Sequence, residues 1–312
     1  MNAAWIVVIA AIVVFFTFYK GANPLQIVPG INGGEPVVIH AGEKEKITLY
    51  VYETVAVSSR KWNSFNDRRH AAAKSPLLEF CDESHRIHHT IGEILPVTDS
   101  DLIQLLDPEL RKLAAGARGD VSLQHDRLLR DALLIKFICK HGGIIIPRNT
   151  FLLENTGHIW KQVIRMDGDG RPVGIIGYAG SGNDEYGAPI FACRGGNFSD
   201  ELVDVLLREG SMREFRGGVL FGGGMPVVLS RATEIGFPTM ELEGVVEVKA
   251  SRLTEIGDYR DGGLLVRIPF PQGSGKNSVV RRDEWLFVAD PETLLENQTV
   301  ITSLISKSCN IR

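Results

Sequence analysis

Residues 126–140, DRLLRDALLIKFICK, run into Gly142-Gly143 and then into Ile144-Ile145-Ile146, and the reading of this stretch decides the fold. Leu129, Leu133 and Phe137 recur one turn apart, with apolar neighbours filling the inward arc, which predicts a helix over 126–140. The glycine pair ends it. Three consecutive isoleucines bounded by glycine and proline predict a strand buried on both faces, as in a parallel sheet fed by helices. Helix, glycine turn and buried strand together predict an α/β domain.

Outward toward the N terminus, Val37-Val38-Ile39 and residues 47–52 (ITLYVY) predict two early strands. Pro76 opens a predicted helix, with Leu77, Leu78, Phe80 and Cys81 as its apolar group and polar residues through His89. Asp99-Ser100 offers an N-cap to a short helix carrying Leu102, Ile103, Leu105 and Leu106. Toward the C terminus, 173–177 and 190–192 predict strands, 200–208 a helix and 222–224 a glycine turn. Beyond Gly244 the pattern is mostly strand (VVEVKA, GLLVRIPF, EWLFVAD) before a final helix over 291–305. No internal repeat interrupts this order.

The first 20 residues read differently. Residues 3–19 (AAWIVVIAAIVVFFTFY) carry no charge, and as a helix they reach roughly 25 Å, close to what a bilayer core requires. They predict one transmembrane anchor in contact with lipid, with Trp5 at one interface and Phe18, Tyr19 and Lys20 at the other. The competing reading, a cleaved signal peptide, lacks a basic n-region and a small-x-small cleavage site. Lys20 alone leaves the sidedness open. Residues 21–36 hold three prolines and four glycines, a composition that resists helix and strand and reads as a linker. The expected organisation is therefore an anchor at 1–20, a linker at 21–36 and a folded body at 37–312 whose C-terminal portion, from about 245, is mostly β.

Composition narrows the function. Lys and Arg number 34 against 38 Asp and Glu, a net charge of −4, so there is no global positive field and nucleic acid is not an expected partner. The four cysteines, Cys81, Cys139, Cys193 and Cys309, form no C-x-x-C; they exclude a zinc knuckle and a dense disulfide framework, and leave the disulfide status open.

Four segments, taken in order, resemble the D-x-D glycosyltransferases of the capsular polysaccharide synthesis type, related to the α-mannosyltransferase-like transferases of the Golgi. Residues 36–40 (PVVIH) are similar to an opening I-P-K-I-I-H strand, 62–69 (WNSFNDRR) to a W-x-S-F…R segment, 76–81 (PLLEFC) to a P-x-x-L-x-L-C helix, and 131–143 to D-L-x-R-x-x-L-L-x-x-x-G-G. The resemblance runs from about Pro36 to Leu207. It implies a GT-A-like mixed sheet flanked by helices. It also implies that Asp131, Gly142 and Gly143 stand where the family binds its nucleotide-sugar donor.

In the family pattern G-G-I-Y-x-D-x-D, two aspartates at the end of the strand hold Mn²⁺ or Mg²⁺ against the departing diphosphate. In the same register this chain has Pro147, Arg148 and Asn149. Both carboxylates are replaced, so no metal ligands and no cofactor are expected. Leu134 likewise stands where the family has an arginine; a four- or five-residue slip, requiring an insertion in the helix, would place Asp126 and Arg130 at the aspartate and arginine instead. If the chain is active, Asp131, Arg148 and Asn149 are the candidate catalytic residues, Arg148 replacing the metal as a cation facing the diphosphate.

Other motifs have plainer readings. Asp99-Ser100-Asp101 reads as a helix cap and Asp167-Gly168-Asp169 as a hairpin turn. His85, His88 and His89 read as a polar helix face, since two imidazoles at this spacing lack a third ligand. Residues 273–276 (GSGK) fail the phosphate-loop pattern at Phe270 and Asn277, and 177–182 (GYAGSG) have the wrong glycine order for a dinucleotide loop. Asn197-Phe198-Ser199 and Asn297-Gln298-Thr299 are glycosylation sequons.

The expectation is a single-pass membrane protein with a glycosyltransferase-like body that no longer transfers sugar. It would act as a structural or binding module at a membrane, among other proteins of an assembly such as a membrane-containing large virus particle. The alternative is an active, metal-independent transferase moving sugar from a nucleotide sugar to a glycan.

Overall fold

The structure, a computed structural model, describes residues 26–28, 37–39, 46–53, 75–115, 123, 127–164, 175–178, 186–195, 239–269, 284–287 and 289–311. The predicted anchor over 3–19, the segment 62–69, Asp126, the turns at 167–169 and 222–224, the helix over 200–208, the sequon at Asn197 and the string at 273–276 lie outside these residues. Among the described residues no helix is long and apolar enough to cross a membrane.

The chain divides into two units, Met1–Glu45 and Lys46–Arg312. In the first, β1 (Gln26–Val28) pairs antiparallel with β2 (Val37–Ile39), Gln26 opposite Ile39. β2 is the expected early strand. β1 corrects the reading of 21–36 as plain linker: Pro24 and Pro29 flank Gln26-Ile27-Val28 instead of interrupting it, and two β-branched residues suffice for a three-residue strand.

The second unit is a mixed α/β body. Its elements are β3 (Leu49–Tyr52), α1 (Pro76–His88), β4 (Ile94–Val97), α2 (Asp99–Ile103), α3 (Pro108–Ala115), α4 (Arg127–His141), β5 (Gly143–Pro147), β6 (Thr150–Leu152), α5 (Gly157–Val163), β7 (Ile175–Tyr178), β8 (Ile190–Cys193), β9 (Thr239–Glu241), β10 (Val245–Glu247), α6 (Ala250–Leu253), β11 (Leu265–Arg267), α7 (Pro291–Glu296) and α8 (Val300–Cys309). Six strands form the central sheet in the order β4-β3-β5-β8-β7-β9. β4, β3 and β5 are mutually parallel, β8 is antiparallel to both its neighbours, and β9 is parallel to β7. A smaller sheet, β10-β11-β6, stands beside it.

Residues 127–146 fold as their pattern requires. Leu129, the run from Ala132 to Ile135, and Phe137 to Cys139 are all buried in α4. The helix closes at Gly142 (φ +71°) and Gly143 (φ +111°), where a side chain would collide with backbone: a Cβ at 142 would lie 2.8 Å from the Arg194 carbonyl oxygen, and one at 143 would lie 2.4 Å from that of Thr48. β5 then enters the sheet beside β3 and is buried along its whole length. Ile145 packs with Tyr50, Phe137 and Ile138 on the α4 face, while Ile144 and Ile146 pack with Leu49, Val51, Trp160 and Ile176 on the opposite face. Both faces are covered, which is why the strand carries no polar residue; each isoleucine contributes about 1.5–3 kcal/mol by burial. Proline is tolerated at position 147 because it ends the strand, and the ladder bond there comes from the Arg148 N–H to the Tyr52 carbonyl at 3.1 Å.

Several expectations need correction. The cap of α2 is Thr98, one residue before Asp99, and the Asp101 carboxylate accepts from the Thr98 N–H at 2.8 Å and its hydroxyl at 2.7 Å. Of the expected C-terminal strands, residues 284–287 form a 3₁₀-helix, with Leu286 buried and the Ala289 N–H reaching back to the Trp285 carbonyl. The expected final helix over 291–305 is two, α7 and α8, broken at Asn297-Gln298; Asp290 caps the start of the first, its Oδ1 accepting from the Thr293 N–H at 2.7 Å. β4, α3, β6, α5 and β9 were not anticipated. Pro96 sits in β4, which is tolerable because β4 is the sheet's edge.

Candidate functional site

Open α/β sheets place their ligands beyond the carboxyl ends of parallel strands. Here those ends deliver Glu53 after β3, Thr98 and Asp99 after β4, and Arg148 and Asn149 after β5. Because α4 runs back along β5 from the glycine turn, its early residues Arg130 and Asp131 come to the same end, where their charges act on Tyr52. β8 starts there too, since it is antiparallel to β5, with Tyr186 and Ala188 just before it.

The residues that follow the Ile144–Ile146 run are engaged by the protein itself. Pro147 is buried and has no ligand atom. Arg148 turns onto α1: its Nε donates to both Asp82 oxygens at 3.1 Å and its Nη2 to Oδ2 at 2.5 Å, with Glu53 3.9 Å from Nη1. That hydrogen bonding holds the guanidinium pKa above its ordinary value. Asn149 is 1% exposed, and its Nδ2 donates to the carbonyls of Tyr186 and Ile268. A prolyl ring, an engaged cation and an amide turned to two carbonyls do not fit a divalent cation, whose site requires anionic oxygen. Among the described residues, no group of three or more His, Cys, Asp and Glu side chains could hold a metal ion.

The helix residues are likewise engaged. Arg130 reaches Asp131 Oδ1 from Nε and Nη2, each at 2.9 Å, and both side chains are buried. Leu134 is fully buried in the core that Tyr52 and Ile145 share. Gly142 and Gly143 lie at the opposite, amino end of β5, so their part is the turn itself. Thus Asp131, Arg148 and Asn149 come to one end of the sheet, and the two glycines do not.

Sequence reasoning missed the most buried charge of this region. Arg267 ends β11 at 2% exposure and donates from Nη1 to Glu247 at 2.9 Å and from Nη2 to the carbonyls of Tyr186 (2.9 Å) and Ala188 (2.7 Å). Its guanidinium carbon is 5.7 Å from the Tyr178 ring centre and 5.8 Å from that of Tyr186. Burial pulls its pKa down and the Glu247 carboxylate opposes the shift. Tyr186 is the hinge of the arrangement, since its carbonyl accepts from both Asn149 and Arg267. The missed signal is the lone arginine in LLVRIPF: a charge within an apolar strand requires a buried partner. Nearby, the Tyr52 hydroxyl donates to Asp99 Oδ1, and burial pushes the phenol's pKa upward.

The three histidines diverge. His85 Nε2 meets the Thr150 carbonyl at 2.7 Å, His88 Nε2 the Ser308 carbonyl at 2.9 Å, and His89 Nδ1 the Thr156 hydroxyl at 2.8 Å. The polar face read from their spacing is in fact a set of ties from α1 to three other segments. Asn297 of the second sequon closes α7, its Nδ2 donating to the Thr293 carbonyl at 2.6 Å.

Compared with known proteins, the chain matches no family model and no curated protein.

Proposed function

We propose that this chain carries a GT-A-like domain derived from a D-x-D glycosyltransferase, that it no longer transfers sugar, and that residues 3–19 anchor it as a binding or structural module at a membrane. The observation that carries this reading is the engagement of Arg148 with Asp82 and Glu53. Arg148 stands where the family's metal would neutralise a diphosphate, and its charge is already matched by Asp82 and Glu53. The order of helix α4, glycine turn and buried parallel strand β5 supports descent from such a fold, and the 17 uncharged residues of 3–19 support the anchor.

Isothermal titration of the full chain in detergent with UDP- and GDP-sugars, with and without Mn²⁺, tests the reading. The expected result is no binding heat. Micromolar to millimolar binding together with donor turnover that disappears in Arg148→Ala would overturn it, and would establish a metal-independent transferase using Asp131 and Arg148.

A further inference from the structure

The three histidines of α1 do not answer acid alike. A carbonyl oxygen only accepts, so His85 Nε2, 2.7 Å from the Thr150 carbonyl, carries the ring's proton and Nδ1 the lone pair. His85 is 1% exposed, and among the described residues its Nδ1 has no hydrogen-bond partner. A second proton would therefore stand there as an enclosed, unpaired N–H on a charged ring. His88 escapes this cost: its half-buried ring donates from Nε2 to the Ser308 carbonyl and keeps that bond when protonated. At His89 the backbone of Ile47 and Glu93 favours the charged form. The charges acting on His85 are those of Asp82 and His89 on α1 itself and of Arg148 at the end of β5. Asp82 is already committed to Arg148, both its oxygens lying 3.1 Å from Nε. β6 carries no ionisable group, and α7, α8 and residues 284–287, which also pack on α1, carry Glu292, Glu296, Lys307, Cys309 and Glu284.

We propose that α1 is an acid-released latch: a proton taken up at His85 Nδ1 loosens this helix from β6 and α8 while the central sheet stays closed. The enclosed ring takes that proton with a pKa of about 4, whereas a ring freed into water takes it at the ordinary 6.5. The open form therefore gains on the closed one as pH falls through that interval. The helix is otherwise held by single polar ties, Asp82 to Arg148, Ser84 to the Leu152 N–H at 3.1 Å and His88 to Ser308. Beneath them lies an apolar contact in which Leu77 and Cys81 share a cluster with Phe151 and Cys309. The residues that cover the two faces of the central sheet form separate clusters, so α1 can part from the body without opening them. Opening separates Asp82 from Arg148 and uncovers the Cys81 and Cys309 thiols, while Cys139 and Cys193 stay enclosed with the central sheet. The device is independent of the proposed loss of sugar transfer.

The test exposes the full chain in detergent to dithiodipyridine, a thiol reagent that works in acid, at pH 7 and at pH 5. Each cysteine's rate is read by mass spectrometry and divided by that of free glutathione at the same pH. The Cys81 and Cys309 rates are expected to rise about twentyfold at the lower pH, the ratio set by a shift from 6.5 to about 4. Cys139 and Cys193 should not change. His85→Gln should abolish the rise, and His88→Gln and His89→Gln should keep it. An unchanged Cys81 rate, a joint rise of all four thiols, or a rise that survives in His85→Gln overturns the proposal. If His85→Gln does not fold, the other two variants still decide, since loss of the rise in either assigns it to another histidine. Amide exchange of the wild type must agree, residues 76–88 losing protection at pH 5 relative to 127–141; equal loss in both also overturns the latch.

Discussion

The guanidinium of Arg148 lies side-on to the carboxylate of Asp82, with Nε 3.1 Å from both oxygens and Nη2 2.5 Å from Oδ2, across 66 positions of sequence. This pair ties α1 to the carboxyl end of the central sheet, and it is sheltered, the two side chains being 16% and 31% exposed. A fork-shaped pair of this kind is stronger than a surface ion pair because two donors are fixed at once.

Arg148→Ala is therefore expected to destabilise the protein by about 1–3 kcal/mol, since Asp82 loses its bonds while remaining partly enclosed. Arg148→Lys recovers only a minor part, because an ammonium cannot present the side-on pair of donors. Asp82→Ala added to Arg148→Ala costs little more, as the two share one interaction. Urea unfolding of the four proteins reads all three. An Arg148→Ala loss below about 0.5 kcal/mol would mean that the arginine is free for another task.

A pH dependence follows from His85. It is fully enclosed, and burial lowers its pKa to about 4, against a Thr150 carbonyl bond and the Asp82 charge that pull it upward and the Arg148 and His89 charges that pull it down. Between about 4 and the ordinary value of 6.5 the unfolded chain binds this proton and the folded chain does not, so stability rises with pH through that window. The contribution is fully present above about 6.5 and is lost as pH falls toward about 4; it amounts to no more than about 3 kcal/mol. His85→Gln, which retains a donor for Thr150, should flatten this part of a stability profile measured by urea unfolding from pH 4 to 7. An unchanged slope in that variant would assign the effect elsewhere.

Arg267 and Glu247 make a pair of another kind, buried at both ends. Arg267→Met leaves the Glu247 carboxylate enclosed without its guanidinium and frees the Tyr186 and Ala188 carbonyls of a donor. The expected loss is about 3–5 kcal/mol. Arg267→Met combined with Glu247→Leu should recover most of it, because the enclosed charge is then gone. Thermal and urea unfolding of both variants measures the difference; equal losses would show that the carbonyl bonds, and not the ion pair, carry the stability.

What the sequence disclosed and what it hid follow from the range of the forces involved. The α4–turn–β5 run was legible because helix period, glycine and a three-isoleucine strand are local signals, and the strands at 49–52 and 190–193 were legible for the same reason. β4 was hidden by Pro96, which edge position permits, and β6 and β9 by their three-residue length. The 3₁₀-helix at 284–287 looked like a strand because Trp285, Leu286 and Phe287 favour strands locally, and packing of Leu286 overrode that preference. At the candidate site, the loss of both carboxylates after Ile146 was plain from residue identity. The partners were not: Asp82, Tyr186 and Glu247 reach Arg148, Asn149 and Arg267 through contacts 66, 37 and 20 positions apart, and no spacing rule encodes them.

The glycine turn gives the sharpest stability prediction. Gly143 has φ +111°, outside the region that side chains accept, and a Cβ there would lie 2.4 Å from the Thr48 carbonyl oxygen. That oxygen is the acceptor of the Ile144 N–H at 3.0 Å, so the collision strikes the ladder that seats β5 beside β3. Gly142, at φ +71°, lies in the left-handed region that side chains enter at a modest cost, and a Cβ there would lie 2.8 Å from the Arg194 carbonyl oxygen, a less severe approach than at Gly143. Gly142→Ala should therefore cost about 1–3 kcal/mol, and Gly143→Ala more than about 3 kcal/mol, enough to deplete the folded protein. Circular dichroism melting and soluble yield of the two variants compare them directly. A Gly143→Ala protein that melts with the wild type would mean that β5 is seated by the isoleucines alone and that the turn imposes no register.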